Sequence, residues 1–345
     1  MAPLSDTSPK RAKIPSWVLQ ALGYAGSATC LVWVMHGYNW GELITTIREL
    51  DWRWVLLAVV SDLAVYVSHG WRWQTLLAPV VRLRLWRTVQ AIYIGLFANE
   101  VLPLRTGEVI RCYLLAHWNN VRISLSLASA AVERLIDGLW LVICFLITAE
   151  LVRGIPEDLM ILVQIIGALL IMGAVLLFWV VARKHEAHAA ITESRWAATL
   201  RHIVEGLSLM GNRQTLGMTA LISLLYLFLQ CLSVWALMKA DGLDLSFWVA
   251  AGVLTMVRFG TVVPSAPGNL GFFQAACVVA LTRFDVEKNV AKDFSFIMFF
   301  ALTLPLLIGG AVATALTGLN LRELRDRAHR GVHAAHGAPA EERPT

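Results

Sequence analysis

The chain has 345 residues, 57% of them hydrophobic and 15% charged, with a formal net charge of +5 and a mean hydropathy of +0.63. Soluble domains carry about 25% charged residues, so this composition excludes an ordinary soluble enzyme and predicts an all-α polytopic membrane protein. The positive balance is no nucleic-acid signature, because the cations gather in short loops beside apolar runs and read as orientation signals.

In chain order, residues 1–16 form a polar tail whose Lys10, Arg11 and Lys13 place it in the cytoplasm. The run Trp17–Met35 is too long for a signal-peptide core, so the first span, 17–38, is expected to stay uncleaved. A second span covers 53–71 and contains one acid, Asp62. Arg72, Arg82, Arg84 and Arg87 then return the chain to the cytoplasm. A broken apolar segment at 86–121 follows, then spans at 124–149 and 159–182. Between the halves, Trp196, Leu200, Ile203, Val204, Leu207 and Met210 recur at helical spacing, so 194–213 reads as an amphipathic linker or a plain connector helix. A span at 215–238, a second broken segment at 246–284 and a last span at 293–318 complete a transmembrane domain of 17–320, before a cytoplasmic tail of 321–345. Trp52, Trp54, Trp71, Trp73, Trp86 and Trp118 flank these spans as interfacial anchors. Cys30, Cys112, Cys144, Cys231 and Cys277 lie in apolar segments without metal-ligand spacing and are read as free thiols.

The two breaks carry the most information. The first reads Asn99-Glu100-Val101-Leu102-Pro103-Leu104-Arg105-Thr106-Gly107-Glu108-Val109-Ile110-Arg111, and the second Pro264-Ser265-Ala266-Pro267-Gly268-Asn269-Leu270-Gly271. Lipid cannot satisfy the amide and carbonyl groups that broken backbone frees, so such breaks survive only beneath protein or beside a wet cavity. Each segment reads as two short helices meeting at its break, either a re-entrant hairpin or a pair of complete spans. The offset from Pro103 to Pro267 also carries the span start near 53 onto 215 and the one near 124 onto 293. Span, broken hairpin, span thus occurs twice, over 53–149 and 215–318, entered from opposite sides as in an inverted repeat, which points to a transporter-type site at the breaks. Such a repeat would bring Pro103 and Pro267 together near mid-membrane, with Gly107 and Gly271 letting the backbones approach.

Arg105, Glu108 and Arg111 crowd the first break at three-residue spacing. Guanidinium groups suit a phosphate, and the helix resuming after Gly107 offers free amides. An anionic headgroup cradle is therefore expected, compatible with an internal Arg–Glu brace. Glu133, Arg134 and Asp137 lie inside an apolar run, where charges must face a cavity or one another. They read as a coupling or gating network or as a structural one. At the second break Gly268 and Gly271 permit close approach, Asn269 offers neutral hydrogen bonds, and Arg258 is a second anion contact or a snorkelling side chain. No Walker loop, dinucleotide fingerprint or nucleophile elbow is present, so neither a cofactor nor a nucleotide-driven step is expected.

Asn99-x-x-Leu102-Pro103-x-Arg105-x-Gly107-Glu108-x-x-Arg111, Glu133-Arg134-x-x-Asp137 and Pro267-Gly268-Asn269-Leu270-Gly271, in this order, resemble the lysylphosphatidylglycerol synthase transmembrane-domain family, also called flippase-like or UPF0104. The resemblance spans roughly 20–320. It implies a bacterial or archaeal inner-membrane protein that moves lipid across the bilayer, with an aminoacylated phospholipid as cargo in multidomain members. A cytoplasmic synthase domain is missing from these 345 residues, so lysyl transfer does not carry over. Members often carry an acid shortly after the second break, where this chain has Gln274, so proton coupling does not carry over to that position either. The expected activity is transbilayer movement of an anionic lipid or lipid-linked precursor. Arg105, Arg111, Asn99, Arg258 and Asn269 would bind it, and Glu108, Glu133, Arg134 and Asp137 would couple or gate. A lipid-synthesis enzyme is the expected protein partner. The rival readings are a membrane-embedded lipid-modifying enzyme using Glu108 or Asp137 as base, and a non-transporting subunit of an envelope-lipid pathway.

Overall fold

A computed structural model describes residues 16–38, 40–102, 106–152, 157–182, 213–262 and 266–318. Pro103 and Arg105 of the first break, most of the 194–213 linker and both tails lie outside the described residues. Among the described residues every regular element is helical: α1 (Ser16–Met35), α2 (Trp40–Glu49), α3 (Trp52–Leu77), α4 (Leu85–Val101), α5 (Gly107–Asn119), α6 (Ile123–Leu151), α7 (Glu157–Ala182), α8 (Arg213–Ala240), α9 (Phe247–Gly260), α10 (Phe272–Arg283) and α11 (Lys288–Ala315). Among these, α3, α8 and α11 are long and apolar enough to cross a membrane by length and composition. Large apolar side chains face outward on several helices, such as Ile165, Leu169 and Met172 on α7, Leu221 and Phe228 on α8, and Ile308 and Val312 on α11. Surface of that kind suits lipid rather than water.

Each expected span corresponds to one helix, with ends displaced by a few residues. The short α2 is an addition, turning Leu43 into the core. The largest displacement is at α3, which runs on through Arg72 and Trp73 to Leu77. Arg72 and Trp73 are fully buried, which corrects their reading as a loop cation and an interfacial anchor. The physical reason is that acids on α6 pair with Arg72 inside the fold, so the charge does not end the helix.

Both broken segments fold back on themselves. The start of α4 meets the end of α5, where the Arg87 guanidinium lies 5.3 Å over the Trp118 ring. At the tip, Asn99 Oδ1 accepts from the Gly107 amide at 2.8 Å. A Cβ on Gly107 would stand 1.8 Å from the Gly95 carbonyl oxygen, so only glycine lets the two helices approach this closely. The second pair is matched in the same way, with Gly260 against Ala276 and Gly252 against Phe284. Its tip is a 3₁₀ turn, Pro267–Asn269, in which Gly268 and Asn269 take left-handed backbone with φ of 69° and 53°. At ~1.5 Å per residue, α5, α9 and α10 are each about 20 Å long, short of the ~30 Å hydrocarbon core.

The apolar core is divided accordingly. One cluster gathers α4, α5 and the adjoining ends of α3 and α6 around Trp73, Ile92 and Leu114. A second gathers α8 to α11 around Val234, Val253, Leu281 and Phe294, and a small third joins Val142 and Phe145 of α6 to Val163 of α7. Helices α3 and α8 run antiparallel along the seam between the first two, tied by Ser233 Oγ donating to the Ala58 carbonyl at 3.0 Å.

Candidate functional site

Six charged side chains from α3, α5 and α6 form one closed network. Arg72 donates from Nε to Glu133 Oε1 at 3.2 Å and from Nη2 to Asp137 Oδ2 at 3.2 Å, and its Nη1 also pairs with Asp137. Arg111 donates from Nε to Glu108 Oε2 at 2.9 Å and from Nη1 to Glu133 Oε2 at 3.2 Å. Arg134 Nη2 reaches Glu108 Oε1 at 2.6 Å. His69 Nε2 lies 3.1 Å from Arg111 Nη1 and 3.7 Å from Glu133 Oε2. The planar faces of the two buried arginines are covered too, Arg72 by Tyr226 at 4.8 Å and Arg111 by Trp73 at 4.7 Å. Three cations meet three carboxylates, so the cluster is electrically balanced, which is how charges survive inside an apolar bundle.

Sequence spacing predicts this convergence only in part. Glu108 and Arg111 do pair at i,i+3 on α5. The partners of Glu133 come from other helices, and two of them, His69 and Arg72, are no part of the expected site. The signal for them is a polar stripe on α3, since Asp62, Tyr66, His69 and Arg72 recur at helical spacing inside an apolar run.

Beside the network lies a cavity of about 420 Å³ that opens between the two halves. Asn99, Glu100, Leu102 and Glu108 wall it from the first break, and Ala266, Pro267, Gly268 and Asn269 from the second. His69 on α3, Arg134 and Asp137 on α6, Ser223, Tyr226 and Gln230 on α8, Arg258 on α9 and Thr261 just beyond it add the remaining polar lining. Arg134 is 48% exposed and Glu108 34%, whereas Arg111 is fully buried in the network and is not a wall residue. Arg258 is exposed and donates from Nη2 to Gln230 Oε1 at 2.8 Å. Two arginines, Arg134 and Arg258, thus present guanidinium groups to the chamber from opposite halves.

The two breaks meet across this chamber, though through other residues than expected. A Cβ on Gly268 would come within 2.7 Å of Glu100 Oε2, so Gly268 is the glycine that faces the first break. Gly107 closes on Gly95 instead, and a Cβ on Gly271 would stand 2.2 Å from the Ser27 carbonyl oxygen on α1. The expectation that Gly107 and Gly271 draw the breaks together is corrected accordingly. Gln274, standing where an acid was expected, is buried and accepts from the Gly271 amide at 2.7 Å, which caps α10.

Fold and site define a helical, multi-pass membrane protein with a charged internal chamber between two broken helix pairs. Within that class the chain belongs to the family described as Lysylphosphatidylglycerol synthase TM region, whose profile matches residues 20–310. It is similar to a UPF0104 membrane protein of Methanothermobacter thermautotrophicus, 22% identical over 74% of this chain and 81% of that protein. A UPF0104 membrane protein of Methanocaldococcus jannaschii is 24% identical over 57% of this chain and 83% of that protein. Glycosyltransferase AglD of Haloferax volcanii is 23% identical over 84% of this chain, which spans 54% of that relative's length.

Proposed function

We propose that this protein moves an anionic amphiphilic lipid or lipid-linked precursor between the leaflets of a bacterial or archaeal inner membrane. The observation that carries the proposal is the chamber of about 420 Å³ walled by both breaks, with Arg134 and Arg258 open to it. A headgroup phosphate would sit between these guanidinium groups, with Asn99 and Asn269 as neutral donors, while the acyl chains stay in the bilayer. Arg111 would act at one remove, holding Glu108 and Glu133 and so the position of Arg134. The balanced network is the coupling or gating element in this reading.

The finer architecture is part of the same proposal. The six long helices would span the membrane and the pairs α4–α5 and α9–α10 would re-enter it from opposite faces as an inverted repeat. Both chain termini would be cytoplasmic. The shortness of three of the four hairpin helices and the antiparallel seam of α3 and α8 support it. A lipid-synthesis enzyme is the partner that would supply such cargo.

The test is reconstitution into phosphatidylcholine vesicles carrying headgroup-labelled phosphatidylglycerol, with an impermeant reductant quenching the outer leaflet. Protein-containing vesicles should lose the protected inner-leaflet signal, and the Arg258→Gln variant should lose it more slowly. Equal protection in vesicles with and without the protein would end the carrier reading for this class of lipid.

A further inference from the structure

Behind the chamber wall lies a smaller group of polar side chains that the charged network does not use. Asp62, midway along α3, is 7% exposed, and its Oδ2 has no hydrogen-bond partner. Gln230 on α8 is 6% exposed, and its Nε2 is equally without one. The seam sets these two orphaned atoms at one level. Ser233 bonds Ala58 one turn to one side, and Arg72 Nη1 donates to Ser223 Oγ at 3.2 Å farther to the other. Gln230 spends its oxygen on Arg258, and both of those residues line the chamber.

Asp62 is surrounded by three tyrosines and one arginine. On α3 Tyr66 stands one turn beyond Asp62 on the same face. Tyr93 on α4 stacks against Tyr66 with ring centroids 4.9 Å apart, and Tyr226 comes from α8. Arg258 on α9 is the cation acting on Asp62. The carboxylates of α6 are engaged with Arg72 and Arg111 farther along, its Arg134 pairs with Glu108, and Lys292 and Asp293 near the start of α11 bond His36 and Tyr38. Tyrosine and arginine keep their protons at neutral pH. A carboxylate oxygen buried in an apolar helix without a hydrogen bond needs a cation or a proton.

We propose that Asp62 is a proton-binding site behind the substrate chamber, read out by Arg258 through Gln230. A proton arriving from chamber water binds Oδ2 and leaves the carboxyl neutral, with Arg258 free to hold an anion in the chamber. Loss of that proton back to water leaves a carboxylate that draws the Gln230 amide and the Arg258 guanidinium toward α3. An anion in the chamber and the ionised Asp62 therefore compete for one guanidinium, so proton binding and anion binding favour each other, each by the same factor. The coupling half of this proposal rests on the carrier reading of the chamber; the proton site does not.

Infrared difference spectroscopy of purified protein in lipid nanodiscs tests the site directly. Wild type should show the C=O stretch of a protonated carboxyl at neutral pH, fading as pH is raised. The band should be absent from Asp62→Asn and restored in Asp62→Glu. Indistinguishable spectra from wild type and Asp62→Asn would overturn the site. In phosphatidylcholine vesicles with headgroup-labelled phosphatidylglycerol, an imposed pH difference should change the wild-type rate several-fold and leave Asp62→Asn unmoved. Equal responses from the two proteins would overturn the coupling. Should wild type move no labelled lipid at all, the carrier reading falls with its coupling, and the infrared band decides the proton site by itself.

Discussion

Arg72 and Glu133, 61 residues apart in sequence, meet at 3.2 Å with neither side chain exposed. Glu133 is also the acceptor for Arg111 from a third helix, so one carboxylate joins α3, α5 and α6. The net stability such a buried pair adds over an apolar packing is small, whereas removing one partner strands the other charge. Glu133 therefore governs whether this half of the protein assembles at all.

Glu133→Leu should destabilise the folded protein by about 3–5 kcal/mol, the usual consequence of leaving a buried charge unpaired. Arg72→Met in the same background should restore part of the loss, because it removes one of the stranded cations. The check is a double-mutant cycle on thermal unfolding in detergent; strictly additive losses would mean that the pair is not coupled.

The two arginine environments predict opposite phenotypes. Arg258 is exposed to the chamber and bonds a neutral glutamine, so Arg258→Gln should leave unfolding near wild type. It should slow lipid movement about ten- to a hundredfold, the equivalent of a charged hydrogen bond of roughly 1.5–3 kcal/mol. Arg111 is buried among Glu108, Glu133 and His69, so Arg111→Gln should first lower the yield of folded protein. Melting curves alongside the vesicle assay separate the two effects.

Much of the fold is legible in the sequence because lipid enforces long apolar runs and because Pro and Gly mark where helices stop. The two broken segments, 86–121 and 246–284, resolve into helix pairs on that logic alone. Arg72 is misread for an equally physical reason. Hydropathy ends a span at a charge, whereas a charge neutralised by Glu133 and Asp137 lets α3 continue to Leu77, and those partners lie far away in sequence. The glycines show the same limit. Sequence tells that Gly107 and Gly271 permit close approach, but not that their neighbours are Gly95 and Ser27. The candidate residues Asn99, Glu108, Arg134, Asp137, Arg258, Pro267, Gly268 and Asn269 do share one chamber, since intramembrane polar groups have few other places to go.

Hairpin re-entry predicts a specific labelling pattern. Single cysteines at Arg84 and Asn120, the two outer ends of the α4–α5 pair, should react from the cytoplasmic face. Those at Asp244 and Asp285, flanking the α9–α10 pair, should react from the external face. Impermeant thiol reagents on intact cells, in a background free of the native cysteines, read this directly. Opposite-side labelling of Arg84 and Asn120 would show that this segment crosses the membrane once and would overturn the hairpin, whereas external reaction of a cysteine at Leu102, beside the tip, would show that α4 and α5 each cross the membrane.

Helical glycines should divide by what surrounds them. A Cβ at Gly173 on α7 meets nothing within 4 Å, so Gly173→Ala should stabilise slightly, by up to ~1 kcal/mol, through the lower entropy of the unfolded chain. Gly107→Ala would drive its methyl into the Gly95 carbonyl, where the nearest atom is backbone and cannot swing aside. It should destabilise by several times that amount. Paired melting curves decide it, and similar small shifts for both variants would contradict the close α4–α5 contact.

The contact between the breaks can be measured through Gly268 and Glu100. Gly268→Ala carries two costs: a left-handed φ of 69° that a Cβ strains, about 1–2 kcal/mol, and a methyl 2.7 Å from Glu100 Oε2. Only the second depends on Glu100. In a Glu100→Ala background the steric part should vanish while the backbone strain remains, so the double variant should be less impaired than the two single losses predict. The cycle is run twice, on thermal unfolding and on the rate of lipid movement. Coupling in both would mean that the breaks touch in the working protein and that the contact lies on the lipid's route. Coupling in stability alone would assign the contact to assembly, and additivity in both would falsify the shared chamber wall.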